Sequence, residues 1–425
     1  MCALPNVKSL ETIALSKNST YRRENIHQVK NKVLEKKGRQ DEQSAEKSRQ
    51  ERLRYLSRQG HKLPFIAESK IGADHLAGNI ENYIGMAQVP IGLAGPLLLK
   101  NGNEPKEYWV PMATTEGALV ASYNRGMKAC HLASGITSIC LKESVQRSPL
   151  FKFQSINEVC EFIKWINASI SALKEVVKTT SRYAQLEGVK TNVEGNSVIL
   201  ILEFTTGDAA GQNMVTICTD QICKFILSTF HISPTEWYVE SNYSGDKKAT
   251  ARSFINVRGK KVSAEIVIPE DIVKSVLKTS AQRMVDYWLS STMSVIQSGA
   301  IGAQGHVANG LTALFIACGQ DVACISESAV GITRMEVVNE NDLYASVTLP
   351  SLIVGTVGGG TALPTQKESL QLLDCYGPGK SREFAEVCCA TALAGEISIA
   401  AALSANHFTN AHKTLGRKQH GNQPE

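Results

Sequence analysis

The chain has 425 residues, 43% of them hydrophobic and 20% charged, which is the composition of a soluble globular protein with room for two or three domains. A formal charge of +5 is too mild at this length to indicate nucleic acid, and no basic stripe with interleaved aromatics appears. Eleven cysteines occur without Cys-x-x-Cys pairs or His-rich spacing, so they signal neither a metal site nor a disulfide framework, and the vicinal Cys388-Cys389 pair suits a reducing cytosol.

Residues 1–62 are polar, and residues 30–58 alternate both charge signs at helical spacing, the pattern of a solvated helical arm. No basic segment followed by an apolar core opens the chain, so no signal peptide is expected. Glu81-Asn82-Tyr83-Ile84-Gly85 leads into Val89-Pro90-Ile91-Gly92-Leu93-Ala94-Gly95-Pro96. Gly and Pro at this density predict close backbone packing rather than a regular element. Thr114 or Thr115 can cap a helix with Glu116 in its first turn, where an acid often only complements the macrodipole. Small residues follow, then a polar edge of Asn124, Arg125 and Lys128.

Residues 149–238 read as a separate α/β unit. Residues 156–177 form one amphipathic helix by pattern, and residues 196–204 a β-branched strand. The turn Asp208-Ala209-Ala210-Gly211-Gln212-Asn213-Met214 then opens a helix reaching about Ser228. Strand, glycine turn and helix N-terminus make a ready phosphate site, although the spacing is not the Gly-x-Gly-x-x-Gly fingerprint and a structural turn is the plain alternative.

Residues 240–252 read as a loop that sets Asp246, Lys247 and Lys248 side by side. It is either a solvated charged loop or, in a cleft, a pair of cations facing developing negative charge. A strand over 260–268 and a long helix over 271–296 come next. His306 and Asn309 begin a small-residue helix that ends near Gly319-Gln320-Asp321, where a lone Asp is usually a cap. A strand over 343–350 precedes the glycine-rich run 355–361, which is expected to let a backbone meet a ligand or another chain. The apolar run 387–405 carries Glu396 and many small residues; it reads as a buried helix, with a membrane span as the weaker alternative. His407 and His412 follow, then a polar tail.

Glu81-Asn82-Tyr83-Ile84-Gly85, Thr115-Glu116-Gly117 through Asn124-Arg125-Gly126, the 208–214 turn, Asp246-Lys247-Lys248, Gly319-Gln320-Asp321, the 355–361 run and His412 come in one order. Together they resemble the catalytic portion of the 3-hydroxy-3-methylglutaryl-coenzyme A (HMG-CoA) reductase family, over residues 63–417 or so. The resemblance implies an α/β (α+β) fold. A helical arm (1–80) would precede a large helix-rich HMG-CoA-binding domain (81–148 and 239–412). A small ferredoxin-like dinucleotide-binding domain (149–238) would be inserted in it, and a tail (413–425) would close the chain. It implies four-electron reduction of HMG-CoA to mevalonate and CoA by NADPH, in a cytoplasmic homo-oligomer with sites shared between subunits and no membrane segment in this chain.

By the same resemblance Lys247 stabilises the oxyanion, His412 protonates the CoA thiolate, and Glu116 donates a proton to mevaldehyde. Asp321 would lie between Glu116 and Lys247, so that one carboxyl keeps its proton. Arg147 and Lys248, with Ser241 and Asp246 in the same loop, bind the substrate carboxylate end, and Asn309 contacts the reacting region. Ser122, Asn124 and Arg125 line the CoA side. Ser181, Arg182, Asp208, Ala209, Gly211, Asn213 and Met214 hold the dinucleotide, with Arg182 or Arg417 at its 2′-phosphate.

Lys247 precedes Asp321 by 74 positions, the wide spacing of the mainly biosynthetic subgroup, class I. Three departures stand out. Ala210 and Gln212 occupy places where the family usually has Met, and Ser241 directly precedes Asn242 where animal relatives insert Gly. Lys418 stands where animal members carry a regulatory serine. The alternatives are an NAD-dependent, mevalonate-oxidising member of the family and a catalytically silent CoA-binding scaffold.

Overall fold

The computed structural model describes residues 42–405 apart from Ala77 and Asn103. His407, His412, Arg417 and the rest of the tail lie outside the described residues. Two compact units divide the chain, one up to Gln88 and one from Val89 onward.

In the first unit, helix α1 (Glu42–Arg58) carries the alternating charges. Arg49 lies 5.6 Å over the Tyr83 ring and donates to Ile84 O, while Arg52 donates to Tyr83 O. The segment around Tyr83 is therefore held by a cation–π contact and charge-assisted hydrogen bonds.

The second unit opens on a correction. Strands β1 (Ile91–Leu99) and β2 (Lys106–Ala113) form an antiparallel hairpin where Gly and Pro argued against a regular element. The register shifts between Ala94 and Leu97, so Gly95 and Pro96 fall in the irregularity and the ladder survives on either side. Helix α2 (Leu119–Leu132) packs on this hairpin.

The main sheet begins with β3 (Thr137–Arg147) and β4 (Leu150–Lys152). The single helix expected over 156–177 is two, α3 (Ile156–Ala168) and α4 (Ile170–Thr180). They part at Ser169, where the backbone leaves the helical region (φ −98°, ψ 3°) and the N–H is shared between Trp165 O and Ile166 O. Strands β5 (Gln185–Glu194) and β6 (Ser197–Thr205), helix α5 (Gln212–Thr229) and β7 (Glu236–Tyr238) complete this half. Its strands lie in the order β7-β4-β6-β5, all antiparallel, with the β-α-β-β-α-β connectivity of a ferredoxin-like unit. An aromatic cluster of Phe151, Phe153, Phe162 and Phe230 centres its own core.

Beyond β3 the sheet continues through β8 (Gly259–Ile268), β10 (Asp342–Leu352) and β9 (Ile332–Val338). Between β8 and β9 the expected long helix is also broken. Short turns end at Lys278 (φ 60°), and Ser280 caps α6 (Ala281–Ser298) by accepting the Arg283 N–H. Helix α7 (Val307–Ala317) follows, and α8 (Pro364–Leu372) and α9 (Ser381–Ser404) close the described chain.

Helix α9 is the one helix among the described residues long and apolar enough to cross a membrane, and 89% of its most apolar stretch is buried. It forms the centre of the larger core, against α2, β3, β8 and β10. Its small residues serve close packing: a Cβ at Gly126 of α2 would meet Ala394 O at 1.9 Å.

Candidate active site

The loop between β7 and β8 brings Lys247 to Asp321, with Nζ 3.0 Å from Oδ2. The side chains are 48% and 40% exposed, so the pair stays open to solvent. Asp321 also caps the turn after α7, its Oδ1 accepting the Ala323 N–H at 3.0 Å; the capping role and the ion pair coexist. The hydrogen bond to Asp321 outweighs partial desolvation and raises the Lys247 amine above its ordinary value. Lys247 itself has left-handed backbone (φ 57°), unusual for a residue with a side chain.

Asp246 lies between two guanidiniums, with Arg147 Nη1 2.8 Å from Oδ2 and Arg258 Nη2 donating to Oδ1. Burial alone would raise its pKa, but Arg258 and Arg147 outweigh burial and hold it below the ordinary carboxylate value. Arg147 is further occupied by Thr216 Oγ1 at 2.8 Å and Glu240 at 3.6 Å. Lys248 Nζ is exposed and donates only to Asn242 Oδ1 and Asp246 O, so no carboxylate pairs with it among the described residues. Ser241 Oγ donates to Ser148 O at 2.7 Å and pins the loop to the corner between β3 and β4.

A cavity of about 430 Å³ is lined by Glu116, Ser122, Arg125, His306, Asn309 and Leu403 among others. Glu116 is not in the first helical turn: Gly117 and the left-handed Ala118 (φ 72°) separate it from α2, so macrodipole complementarity does not account for it. Its N–H donates to Thr114 Oγ1 and it is exposed. Arg125 donates to Ser398 O at 2.6 Å, and the Ser122 and Ser398 hydroxyls are 3.0 Å apart. Asn124 is directed elsewhere, its Oδ1 accepting the Gly95 N–H of β1.

Two clusters result. Asn309 sits in the first turn of α7 beside Glu116, whereas Asp321 and Lys247 stand past the other end of that helix. Eleven residues of helix span about 16 Å. Within one chain, then, Asp321 meets Lys247, and neither of them lines the cavity that holds Glu116.

At the 208–214 turn, Gly211 (φ 80°) precedes α5, whose first amides have no side-chain cap. A Cβ there would meet Thr206 at 2.4 Å. The Asp208 carboxylate accepts from the Gly379 and Ser381 amides and so caps α9; those amides overcome burial and lower its pKa. Ala209 O accepts from Thr206 Oγ1, Asn213 is exposed, and Met214 packs on the smaller core. The glycine run meets this same turn: a Cβ at Gly355 would lie 2.5 Å from Ala210 N, and the Thr356 N–H donates to Asp208 O. Ser181 Oγ accepts from the Tyr183 and Ala184 amides. Gln185 pairs with Thr205, so Ser181 and the exposed Arg182 share one end of the β5–β6 ladder with the turn.

Several residues of these clusters escaped sequence reasoning. Arg258 and Glu327 are buried partners of the lysine loop, joined across 69 positions with no local motif. Gln212 Oε1 accepts from Arg258 at 2.6 Å. Glu396 accepts the Gly305 and His306 amides beneath the cavity, and His306 Nε2 lies 2.9 Å from Gly395 O. A lone acid in an apolar helix was the available signal for Glu396.

The sequence matches the model of the family described as hydroxymethylglutaryl-coenzyme A reductase over residues 48–417. The 3-hydroxy-3-methylglutaryl-coenzyme A reductase of Pyrococcus horikoshii is 42% identical over 370 residues, 85% of this chain and 89% of that protein. That of Aeropyrum pernix is 42% identical over 373 residues, 85% and 88% of the two chains. Reductase 1 of Hevea brasiliensis is 40% identical over 345 residues, 79% of this chain and 59% of that protein. The class II reductase of Streptococcus pneumoniae, solved bound to NADPH in open conformations, superposes with a TM-score of 0.64 over 83% of this chain and 96% of that one; at 20% identity this is a likeness of fold. With 370 residues at 42% identity behind it, the chain belongs to the hydroxymethylglutaryl-coenzyme A reductase family.

Proposed function

We propose that the chain reduces HMG-CoA to mevalonate and free CoA with NADPH, in the direction of mevalonate synthesis. The observation that carries this reading is the Lys247–Asp321 pair, an ammonium held by a carboxylate yet open to an incoming group. A bound nicotinamide supplies hydride at each of the two reductive steps. The first addition puts negative charge on the thioester oxygen, and Lys247 is the cation that stabilises it. His412 protonates the departing CoA thiolate, and Glu116 gives a proton to the mevaldehyde oxygen. Lys248, which pairs with no carboxylate among the described residues, takes the substrate carboxylate together with Arg147, and Ser122 and Arg125 line the CoA side of the cavity.

The dinucleotide fits the first turn of α5, where Gly211 leaves uncapped amides for a pyrophosphate. Arg182 or Arg417 meets the 2′-phosphate. The 149–238 segment is the dinucleotide domain, inserted in the substrate domain. The wide spacing of Lys247 and Asp321 supports class I, in a cytoplasmic enzyme. Neither Lys247 nor Asp321 lines the cavity that holds Glu116, which supports a homo-oligomer in which one subunit brings its cavity to the lysine loop of the next.

Purified protein given HMG-CoA and NADPH should form one mevalonate per two NADPH oxidised. Parallel assays with NADH, and with mevalonate, CoA and NAD, test the oxidative alternative. Absence of mevalonate with NADPH, or a strong preference for NAD in the oxidative direction, would overturn the proposal.

A further inference from the structure

Left-handed backbone at a residue with a side chain persists where neighbours over-determine it, and such positions gather at functional sites. At Lys247 the neighbours are identifiable. Its N–H donates to Glu327 Oε1 at 3.1 Å, and Arg258 Nε donates to the same oxygen at 3.2 Å. The remaining Arg258 nitrogens reach Asp246 Oδ1, Gln212 Oε1 at 2.6 Å and Gln146 O at 3.0 Å. Arg258 and Glu327 are 3% and 1% exposed. One buried guanidinium thus grips the residue before the lysine, and its carboxylate partner grips the lysine's own amide.

The contacts on Glu327 are lopsided. Oε1 takes both donors, whereas Oε2 is buried with no partner among the described residues. A carboxylate present only to neutralise Arg258 would pair both oxygens with the guanidinium fork. Glu327 gives up that bidentate pairing and directs an oxygen at the backbone of Lys247. Gln212 ties the first turn of α5 to the same guanidinium.

We propose that Glu327 and Arg258 are positioning residues that act through Lys247: they lock the left-handed turn at residues 246–247 and so fix where the ammonium stands beside Asp321. This rests on the reading of Lys247 as the cation at the reacting oxygen.

The test is a double-mutant cycle on the full chain, read as kcat and KM for HMG-CoA and NADPH. Glu327→Leu removes the acceptor and should lower kcat about 10²-fold, as a displacement of about 1 Å at a catalytic group does, with KM for NADPH changed less than about threefold. In a Lys247→Ala background the same substitution should cost no more than about threefold further, because it acts only through the missing ammonium. A loss of about 10²-fold in both backgrounds, or a Glu327→Leu enzyme within about threefold of the parent, overturns the proposal. Should Glu327→Leu fail to fold, Arg258→Lys takes its place in the cycle, keeping the charge but not the fork, with the same outcomes deciding. Near-parental turnover in Lys247→Ala overturns the reading of Lys247 and this proposal with it. An inactive Lys247→Ala beside a fully active Glu327→Leu overturns the proposal alone.

Discussion

Two charge clusters meet at the peptide bond between Asp246 and Lys247, and they are built in opposite ways. The Lys247–Asp321 pair is half exposed, whereas Arg258 and Glu327 are sealed, with Asp246 beside them partly buried. An exposed pair in water contributes little to stability, about 0–1 kcal/mol. A buried pair is costly to break, because the surviving charge is left without water or partner. The contrast separates two tasks: the charge that acts on substrate stays accessible, and the charges that hold its backbone are removed from solvent.

The largest expected effect lies on the buried side. Arg258→Met leaves Glu327 without a cation and Asp246 with Arg147 alone, so unfolding in denaturant should show a loss of about 3–5 kcal/mol. A loss under about 1 kcal/mol would mean that the network holds nothing together and that the contrast is false. On the open side the effect should appear in rate. Lys247→Ala should lower turnover of HMG-CoA about 10²–10³-fold while NADPH affinity, followed by fluorescence, stays near that of the parent. Equal losses of turnover and of dinucleotide affinity would point to a collapsed loop rather than a missing cation.

The open side was legible in the sequence and the sealed side was not. Lys247, Asp321 and Glu116 sit in motifs whose order is recognisable, and strands β6, β8 and β10 announce themselves through β-branched runs. Arg258 and Glu327 have no such signal, because each matters only through a partner that folding brings from far along the chain. Local punctuation misled in both directions. Gly95 and Pro96 argued against a strand, yet a ladder on either side absorbs them in one irregularity. The patterns over 156–177 and 271–296 looked continuous, yet Ser169 and the Lys278-Thr279-Ser280 corner break them. The placement of Glu116 ahead of α2 follows from a left-handed Ala118, a conformation that Ala itself gives no reason to expect.

Acid sharpens the comparison within the buried cluster. Asp246 has a lowered pKa, since Arg258 and Arg147 outweigh its burial. Its stabilising contribution is therefore complete above the unfolded value of about 3.9 and is lost as pH falls through the lower folded value. Glu327 is shifted upward, because burial outweighs the Lys247 amide and Arg258. Its contribution has the opposite sense: present in full below about 4.3, and lost as pH rises through the folded value. Asp246→Asn should flatten the acid limb of stability against pH, and Glu327→Gln should remove part of the decline on the side above about pH 4.3. Identical pH profiles for the two variants would show that the carboxyls are not in distinct environments.

The smallest expected change is the stability of Asp321→Asn. Asn keeps an Oδ1 that can accept the Ala323 N–H, so the cap after α7 survives and only the charge facing Lys247 is lost. With both side chains roughly half exposed, water screens the pair and its loss should cost no more than about 1 kcal/mol. That difference should shrink further as salt approaches about 1 M, where the Debye length is near 3 Å. The corresponding loss in Arg258→Met should persist at the same salt, because buried charges are screened much less. Paired unfolding curves at low and high salt measure both. A salt-insensitive loss above about 2 kcal/mol in Asp321→Asn would place the lysine pair with the buried network, and the ammonium would then be part of the scaffold it was taken to stand upon.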